Sequence, residues 1–298
     1  MATVASTPTT EVLPKRPNAV WQFIKSEPLG IFGFLIILLY VVCAVGANWI
    51  AHYHPEEIDF AAMLSAPGKD HWFGTDQYGR DVFSRIVYGS RTALAVGILS
   101  SLSGCTAGAV LGAASGYFGG RIDTAIQRVV DIMLSFPIIV LAMVVVAVLG
   151  KQQVWVTATN LIAATALPCI PKMARVARSS TLSIVAMPFI DAARAAGFSH
   201  KRIILRHILP NIMAPYLIMV TAFIAQAILL EASLSFLGLG VTEPTAAWGL
   251  MLSGASADFY QTAPWMILFP GIAITLAVFA FNLFGDSLRD WLDPKLKS

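Results

Sequence analysis

The sequence predicts an all-α polytopic membrane protein with about six transmembrane helices. Of its 298 residues, 57% are hydrophobic and only 12% are charged, and its mean hydropathy is +0.72. Soluble domains carry about 25% charged residues, so the polar surface of a soluble protein is missing. A helix needs about 20 apolar residues to span a bilayer. Six runs satisfy this requirement, at 29–50, 92–116, 132–150, 153–171, 212–230 and 265–285.

The composition also argues against several function classes. So apolar a chain is typical neither of a soluble enzyme nor of a disordered protein. A net charge of +3 is too small to indicate a nucleic-acid partner. The cysteines Cys43, Cys105 and Cys169 are odd in number and widely spaced, which predicts no disulfide framework and no metal site. We expect them to be small residues inside the membrane.

The order of polar and apolar segments predicts how the chain is organised. Residues 1–28 are rich in Thr, Pro and charge and are interpreted as a cytoplasmic arm. The run 29–50 is longer than the apolar part of a secretory signal, about 7–15 residues, so it is interpreted as a retained span. We assign 51–91 to an outer loop, 92–285 to a membrane core and 286–298 to a cytoplasmic tail.

Lysine and arginine predict the orientation of these segments. With the N-terminus inside, fifteen of the 20 Lys and Arg residues fall in cytoplasmic segments. Because an excess of these residues marks the cytoplasmic side, both termini are predicted inside. Trp49 and Trp155 then stand at the outer interface and Trp291 at the inner one, where an aromatic belt is expected.

Small residues recur at every fourth position of the second run. They are Ser100, Gly104, Gly108, Gly112 and Gly116. Residues four apart share one helix face, and small side chains there let a neighbouring backbone approach closely. We interpret this stripe as a helix-packing surface. The alternative is a helix that lines a translocation pathway or moves against it.

Groups that could perform chemistry are nearly absent from the sequence. It contains no phosphate-binding loop, zinc-ligand helix or nucleophile elbow. Glu231, at the end of the fifth run, is the ionisable exception within the spans. Ion-coupled carriers keep ionisable groups at mid-membrane, so the pattern argues against a self-powered carrier. We predict no catalytic residue, no resident cofactor and no metal, and we expect a partner to supply the energy for any transport.

The longest inner loop, 172–211, is predicted to form short helices with defined breaks. Pro188 can begin a helix and Gly197 can end it. Ser199 can cap a second helix, which Pro210 is expected to end. A short, rigid, alanine-rich helix can enter a groove on another protein. A helix resting on the lipid surface is the alternative.

Within this loop, DAARAAGFSHKRIILRHILP resembles the coupling motif of bacterial ABC importer permeases. The family pattern is Glu-Ala-Ala, then Gly, then an Ile-x-x-x-x-x-Leu-Pro end. Asp191 stands where the family usually has Glu, which keeps the charge on a shorter side chain. The matching residues are Ala192, Ala193, Gly197, Ile203, Leu209 and Pro210.

Three further blocks are similar to the second permease of dipeptide/oligopeptide importers. They are HWFGTDQYGRDVFSRIVYGSRTAL, EASLSFLGLG with EPTAAWGLML, and FNLFGDSLRDWLDPKLK. The resemblance implies a type I importer permease in the bacterial inner membrane that works by alternating access. It implies as partners the lipid bilayer, a homologous permease, two ATPase subunits that bind ATP and Mg, and a periplasmic binding protein.

The first of these blocks also has a physical interpretation. Its Gly- and Asp-rich part predicts a turn and then a helix, with Asp76 or Thr75 as the cap. We interpret it as a docking edge or gate beneath the binding protein, and a loop folded over the membrane surface is the alternative. Its residues are Gly74, Thr75, Asp76, Gly79, Arg80 and Asp81.

Several alternatives stay open at the level of sequence. Nickel, glutathione or another small solute competes with peptides, because the spans contain few polar groups that could select a solute. An ATP-independent channel or carrier and a purely structural assembly subunit are the other function classes.

Overall fold

A computed structural model describes residues 26–150, 159–254 and 258–292. Residues 1–25 of the predicted arm, Trp155 and residues 293–298 of the predicted tail lie outside these ranges. The described helices are α1 (Pro28–Ile50), α2 (Val82–Phe118), α3 (Gly120–Ser135), α4 (Ile138–Leu149), α5 (Thr159–Ala166), α6 (Cys169–Val185), α7 (Pro188–Ala195), α8 (His200–Ile203), α9 (Met213–Phe236), α10 (Trp248–Met251) and α11 (Trp265–Leu292).

Four of the described helical stretches are long and apolar enough to cross a membrane. They are α1, α2, the continuous helix His200–Phe236 that includes α8 and α9, and α11. The pair α3 and α4 qualifies as a fifth if it is counted as one span bent by 99°. The prediction of an all-helical membrane protein is therefore confirmed.

Two of the six expected runs differ from straight spans. The run 132–150 is divided between α3 and α4, because Pro137 disfavours helical geometry at Phe136. The run 153–171 lies partly outside the described residues. Its described part is divided between α5 and α6, which are separated at Leu167 and Pro168.

Three helix boundaries also differ from the expected ones. α2 begins at Val82, so the last part of the predicted outer loop 51–91 is helical. α11 continues to Leu292, into the predicted tail. α6 includes the start of the predicted inner loop 172–211. In each case the added part of the helix contains charged residues. A hydropathy criterion assigns such residues to a loop, but a helix can continue beyond the bilayer.

The longest helix, α2, has 37 residues and lies at the centre of the fold. It packs along α6 on one side and against α9 and α1 on others, and α11 packs against α1 and α9. The main buried cluster lies between α2, α6 and α9 and contains Cys105, Met173 and Phe223. α2 therefore contacts both the inner and the outer loops of the protein.

Candidate coupling segment and outer-loop cluster

We call residues 188–212 the inner segment, which starts with α7. α7 begins at Pro188 and is followed by Gly197 with φ +73°, as the sequence predicts. The Gly197 N–H donates to the Arg194 carbonyl at 2.9 Å, and the Phe198 N–H donates to the Ala193 carbonyl at 3.1 Å. This pair of hydrogen bonds is a Schellman turn, which needs a left-handed residue at the position of Gly197.

α7 has one buried and one exposed face. Ile190 is 0% exposed, and Ala193 is also buried against the helices above it. Asp191 and Ala192 lie on the exposed face. The Asp191 carboxylate pairs with Arg194 at 3.2 Å, and both side chains are exposed, so this ion pair adds little stability. The exposed face of α7 thus carries the charged Asp191 and Arg194, the small Ala192 and the large apolar Phe189.

The second half of the inner segment runs without a break into α9. Ser199 Oγ accepts a hydrogen bond from the Arg202 N–H at 3.4 Å, so it caps α8 as predicted. A π-helical turn over Ile204–Ile208 and a 3-10 turn over Leu209–Ile212 follow. The prediction that Pro210 ends this helix is wrong: Pro210 lies near the start of the 3-10 turn that directly follows the π turn, and the helix continues through it to Phe236.

The coupling-motif residues beyond Gly197 divide between inside and outside. Ile203 is buried, Leu209 is half-buried and Pro210 is exposed. Ile203 belongs to the same buried cluster as Ile190. The apolar members of the motif therefore hold the inner segment against the membrane helices.

The inner segment is joined to the end of α2 by residues that sequence analysis missed. The Tyr117 hydroxyl and His200 Nδ1 are 2.8 Å apart and share a hydrogen bond. The Arg194 guanidinium lies over the Tyr117 ring, 5.6 Å from its centroid. Phe118 meets the His200 ring edge-on with centroids 5.7 Å apart. Aromatic residues at the end of a span also fit a membrane interface, so the sequence alone does not reveal this contact.

A second junction joins α2, α3 and α6 near the same end. Arg178 donates two hydrogen bonds of 2.6 Å each to the two oxygens of Asp123. The Ser115 hydroxyl donates to Asp123 and accepts from the Gln127 side chain at 2.9 Å. Bidentate Arg–carboxylate pairs are strong and geometrically specific. The junction therefore fixes α3 relative to α2 and α6.

At the opposite end of α2, the Gly- and Asp-rich motif folds into a tight turn. Asp76 Oδ1 accepts hydrogen bonds from the N–H groups of Tyr78 at 2.8 Å and Arg80 at 2.9 Å. Gly74 and Gly79 have φ of +73° and +76°. A Cβ at Gly74 would also lie 2.6 Å from Nε1 of Trp265, so both glycines are required by backbone conformation and close packing.

The cap of α2 is Asp81, and the prediction of Asp76 or Thr75 as the cap is wrong. Asp81 Oδ2 accepts from the Ser84 N–H at 2.8 Å, and its Oδ1 lies 3.0 Å from His71 Nδ1. Asp76 is occupied by the turn. Thr75 Oγ1 accepts from the Ser65 N–H at 2.8 Å and donates to the Ala62 carbonyl.

Asp76, Arg80, Arg85 and Glu243 form what we call the outer-loop cluster. Arg80 donates to Asp76 at 2.7 Å, and to the two oxygens of Glu243 at 2.6 and 3.3 Å. Arg85 is 1% exposed and donates to the carbonyls of Pro55 at 3.0 Å and Pro244 at 3.3 Å. The cluster therefore joins the first outer loop to the loop between α9 and α11.

The two carboxylates of the cluster stabilise the charge of Arg80. Burial lowers the pKa of Arg80, but hydrogen bonds and charges from Glu243 and Asp76 outweigh burial and raise it above its usual range. Sequence analysis missed Arg85 and Glu243, although both lie inside the blocks that carry the family resemblance. Only the folded chain brings these two blocks together.

The loop between α9 and α11 also packs along the outer part of α2. The Trp248 indole donates to the Ile86 carbonyl at 3.0 Å, and the Thr92 hydroxyl donates to the Ala246 carbonyl at 3.1 Å. A Cβ at Gly89 would lie 2.6 Å from Trp248 Cδ1. α2 is therefore attached to this loop at three successive levels.

The glycine stripe of α2 faces α5 and α6. A Cβ at Gly104 would lie 2.5 Å from the Ala166 carbonyl oxygen, and one at Gly116 would lie 2.9 Å from that of Arg178. Gly108 and Gly112 approach the carbonyls of Ile170 and Ala174 in the same way. Ser100, at the outer end of the stripe, hydrogen-bonds Thr165 Oγ1 at 2.5 Å. The stripe thus brings two helix backbones into contact.

The cysteines, Glu231 and the other groups that could titrate or bind a metal lie among structural contacts. Within the described ranges, no three His, Cys, Asp or Glu residues are grouped so that they could hold a metal ion. Cys43, Cys105 and Cys169 are free thiols. Glu231 is 1% exposed and accepts a hydrogen bond from Ser235 Oγ at 2.7 Å.

Comparisons with known proteins decide the family. Residues 108–298 match the family described as the binding-protein-dependent transport system inner membrane component. Residues 18–67 match the N-terminal TM domain of oligopeptide transport permease C. The chain belongs to this family of importer permeases. The fold class and the family expected from the four sequence blocks are therefore confirmed.

Curated relatives of this permease align over nearly its whole length. The dipeptide transport system permease protein DppC of Alkalihalophilus pseudofirmus is 44% identical over 289 residues, which cover 97% of this chain and 92% of the relative. The glutathione transport system permease protein GsiD of Escherichia coli is 42% identical over 278 residues, covering 93% and 90%. A putative peptide transport system permease protein of Brucella suis is 42% identical over 265 residues, covering 89% and 87%.

A solved structure supports the fold of the permease. A chain of the MetNI methionine ABC transporter, in inward-facing conformations, superposes with a TM-score of 0.53 and 17% sequence identity. The match covers 71% of this permease and 98% of that chain. The family and its relatives make this permease a multi-pass transport subunit of the inner membrane and not an enzyme.

Proposed function

We propose that this permease forms half of the translocation pathway of an ATP-driven importer of dipeptides or oligopeptides. The observation that carries the proposal is α7. It is a short helix whose exposed face combines Asp191 and Ala192 with Phe189, and it is seated on the membrane helices through Ile190. The Schellman turn at Gly197 holds it rigidly. Such a helix fits a groove on a cytoplasmic ATPase.

In this proposal, the coupling residues divide into two roles. Asp191, Ala192 and Gly197 are exposed, so they would contact the ATPase. Ala193 and Ile203 are buried, so they would seat the inner segment on the membrane helices. Leu209 and Pro210 would join it to α9 through the 3-10 turn. Closure of the ATPases around ATP and Mg would then displace α7 and reorient the spans by alternating access.

The outer signature residues 74–81 would form a docking edge or gate beneath a periplasmic binding protein. Their support is the outer-loop cluster, which holds two outer loops as one surface. A homologous permease would complete the pathway as a heterodimer, and both termini would lie in the cytoplasm. Gly104, Gly108, Gly112 and Gly116, which form the glycine stripe, would keep α2 packed against α6 while the spans move.

Glutathione is the second candidate solute, because a relative of this permease is named a glutathione transport permease. Glutathione is itself a small peptide, so both names indicate a solute with amide and carboxylate groups. Nickel remains the more distant alternative. Within the described ranges, no group of His, Cys, Asp or Glu suits a metal ion, and selection of the solute would fall to the binding protein.

The test is uptake by the complete importer reconstituted in liposomes with its binding protein. We expect labelled dipeptide to enter only when ATP and the binding protein are both present. The isolated permease should neither transport nor hydrolyse ATP. Uptake by the permease alone would make it a channel or a carrier. Uptake of glutathione or Ni²⁺ without uptake of dipeptides would overturn the peptide assignment.

A further inference from the structure

α2 contacts the inner segment at one end and the outer loops at the other, although no short stretch of chain connects it to the inner segment. The inner segment is continuous along the chain with α6 and α9, so its movement reaches α2 through packing contacts between helices and not along the chain. We propose that Tyr117 and His200 are positioning residues that couple α2, and through it the outer loops, to the inner segment. This proposal rests on the proposed function.

The inner contact is specific and partly buried, with Tyr117 buried and His200 exposed. Tyr117 is buried, so its hydroxyl needs a hydrogen-bond partner, and His200 Nδ1 supplies one at 2.8 Å. His200 lies at the first position of α8, directly after the Ser199 cap. The Arg194 guanidinium covers the other part of the Tyr117 ring. Both α7 and α8 therefore hold the same tyrosine, and a displacement of either is transmitted to it.

Between its ends, α2 is suited to act as a rigid connection. Its 37 residues include no proline and extend about 55 Å at 1.5 Å per residue. Its glycine stripe brings its backbone against α6, which restricts bending. A continuous, closely packed helix transmits displacement better than a chain of mobile side chains.

The outer contacts complete the connection. The Thr92 hydroxyl donates to the Ala246 carbonyl, and the Ile86 carbonyl accepts from the Trp248 indole. Arg85 donates to the Pro244 carbonyl at 3.3 Å. These three contacts act on the loop that also carries Glu243 of the outer-loop cluster. A protein that docks on this loop would therefore act on the outer end of α2.

The experiment uses the complete importer in liposomes with its binding protein. The readouts are ATP hydrolysed per solute imported and stimulation of ATP hydrolysis by the loaded binding protein. Tyr117→Phe removes one buried hydrogen bond, and we expect about a threefold to tenfold rise in ATP hydrolysed per solute. His200→Ala should match it. His200→Asn, which can place an amide near the position of Nδ1, should restore much of the coupling.

The matched control is Tyr216→Phe. The hydroxyl of Tyr216 in α9 bonds Thr106 in the middle of α2 at 2.8 Å, so the substitution removes a hydrogen bond of the same length, between more exposed groups, from α2. It should leave the ATP-to-solute ratio unchanged. A general loss of α2 stability would raise the ratio in both variants and would overturn the positioning role.

A double variant tests whether the two ends act in series. Thr92→Val alone should reduce stimulation by the binding protein. The double variant that combines it with Tyr117→Phe should lose no more stimulation than the more impaired of the two single variants. Multiplicative losses would mean that the two ends act independently, and the proposal would then be wrong. If the parent importer shows no ATP-driven uptake, the proposed function itself fails. If the parent is coupled and Tyr117→Phe leaves the ratio unchanged, only this inference fails.

Discussion

The carbonyl oxygen of Ile170 lies 2.5 Å from the point where a Cβ on Gly108 would stand. The Cβ of Met173 lies 2.8 Å from the same point. Both distances are shorter than real Cβ contacts, so the space between α2 and α6 accepts a hydrogen atom and nothing larger. The two helices therefore contact each other through backbone atoms, which favours van der Waals packing and Cα–H···O contacts.

Gly108→Ala should separate α2 from α6. We expect a loss of about 1–3 kcal/mol in stability, because an extra methyl group in a tightly packed site forces the backbones apart. The measurement is thermal unfolding of the purified permease in detergent. Gly271→Ala is the control, since nothing lies within 4 Å of a Cβ at that position of α11. There the substitution should be neutral or stabilising by about 0.5–1 kcal/mol. Equal stability of the two variants would mean that the stripe does not need glycine.

Gly197→Arg should abolish uptake while the permease still inserts in the membrane at normal levels. Its φ of +73° makes any larger residue costly, and its exposed position would place the new side chain in the groove of the ATPase. Gly119→Arg is the control, because Gly119 has φ +64° and ψ −160°, which strain a larger residue at least as much, and open space around it. We expect Gly119→Arg to retain more uptake.

Asp191→Asn should be milder than Gly197→Arg, since the exposed Asp191–Arg194 pair is worth about 0–1 kcal/mol.

The comparison between the two glycines separates backbone strain from contact with a partner. Uptake and membrane abundance should be measured together, and binding of the ATPase should be measured by co-purification. If both arginine variants lose uptake equally, strain alone explains the loss. If Gly197→Arg transports like the parent, the inner segment does not transmit the movement.

Impermeant thiol reagents should distinguish the two sides of the membrane. In a background without Cys43, Cys105 and Cys169, we expect Lys69→Cys and Thr245→Cys to react in intact cells. Ser199→Cys should react only after the cells are opened. Labelling of position 199 from outside would reverse the orientation, and with it the assignment of the inner segment to the ATPase side.

Arg80→Ala should destabilise the permease more than Glu243→Gln. Arg80 is buried with Asp76, and removal of one partner of a buried pair costs about 3–5 kcal/mol. Glu243 is 46% exposed, so loss of its charge should cost about 0–1 kcal/mol. Thermal unfolding in detergent compares the two. If Glu243→Gln is equally harmful, the connection between the outer loops, and not the Asp76–Arg80 pair, is the main stabilising contact.

Local rules predicted the features that depend on one residue and its neighbours. The start of α7 at Pro188 and its glycine turn at Gly197 follow from the conformational properties of proline and glycine. The same rules failed at Pro210, because the helix continues through the 3-10 turn that contains it. They also failed to choose Asp81 over Asp76, since either carboxylate can cap a helix. The choice depends on the turn that already uses Asp76.

Contacts between distant segments could not be predicted from the sequence. Arg80 and Glu243 are 163 positions apart and pair only after α2, α9 and α11 have assembled. The Tyr117–His200 bond depends in the same way on where the inner segment is seated. Residues 82–91 contain two arginines, so a hydropathy criterion does not assign them to a span. In the structure they form the first part of α2, whose N-cap is Asp81, and the Arg85 side chain is buried among outer-loop carbonyls.

The π turn over Ile204–Ile208 lets this stretch accept one change in length that a regular helix would not accept. A π turn is an α-helical turn with one residue added. Deletion of one residue from the turn should therefore restore regular α-helix and leave α7 and α8 near their present angle about the axis of α9. An insertion or deletion in the regular helix of α9 would instead rotate the whole inner segment by about 100° around that axis. Ile203 would then leave the core and His200 would no longer face Tyr117.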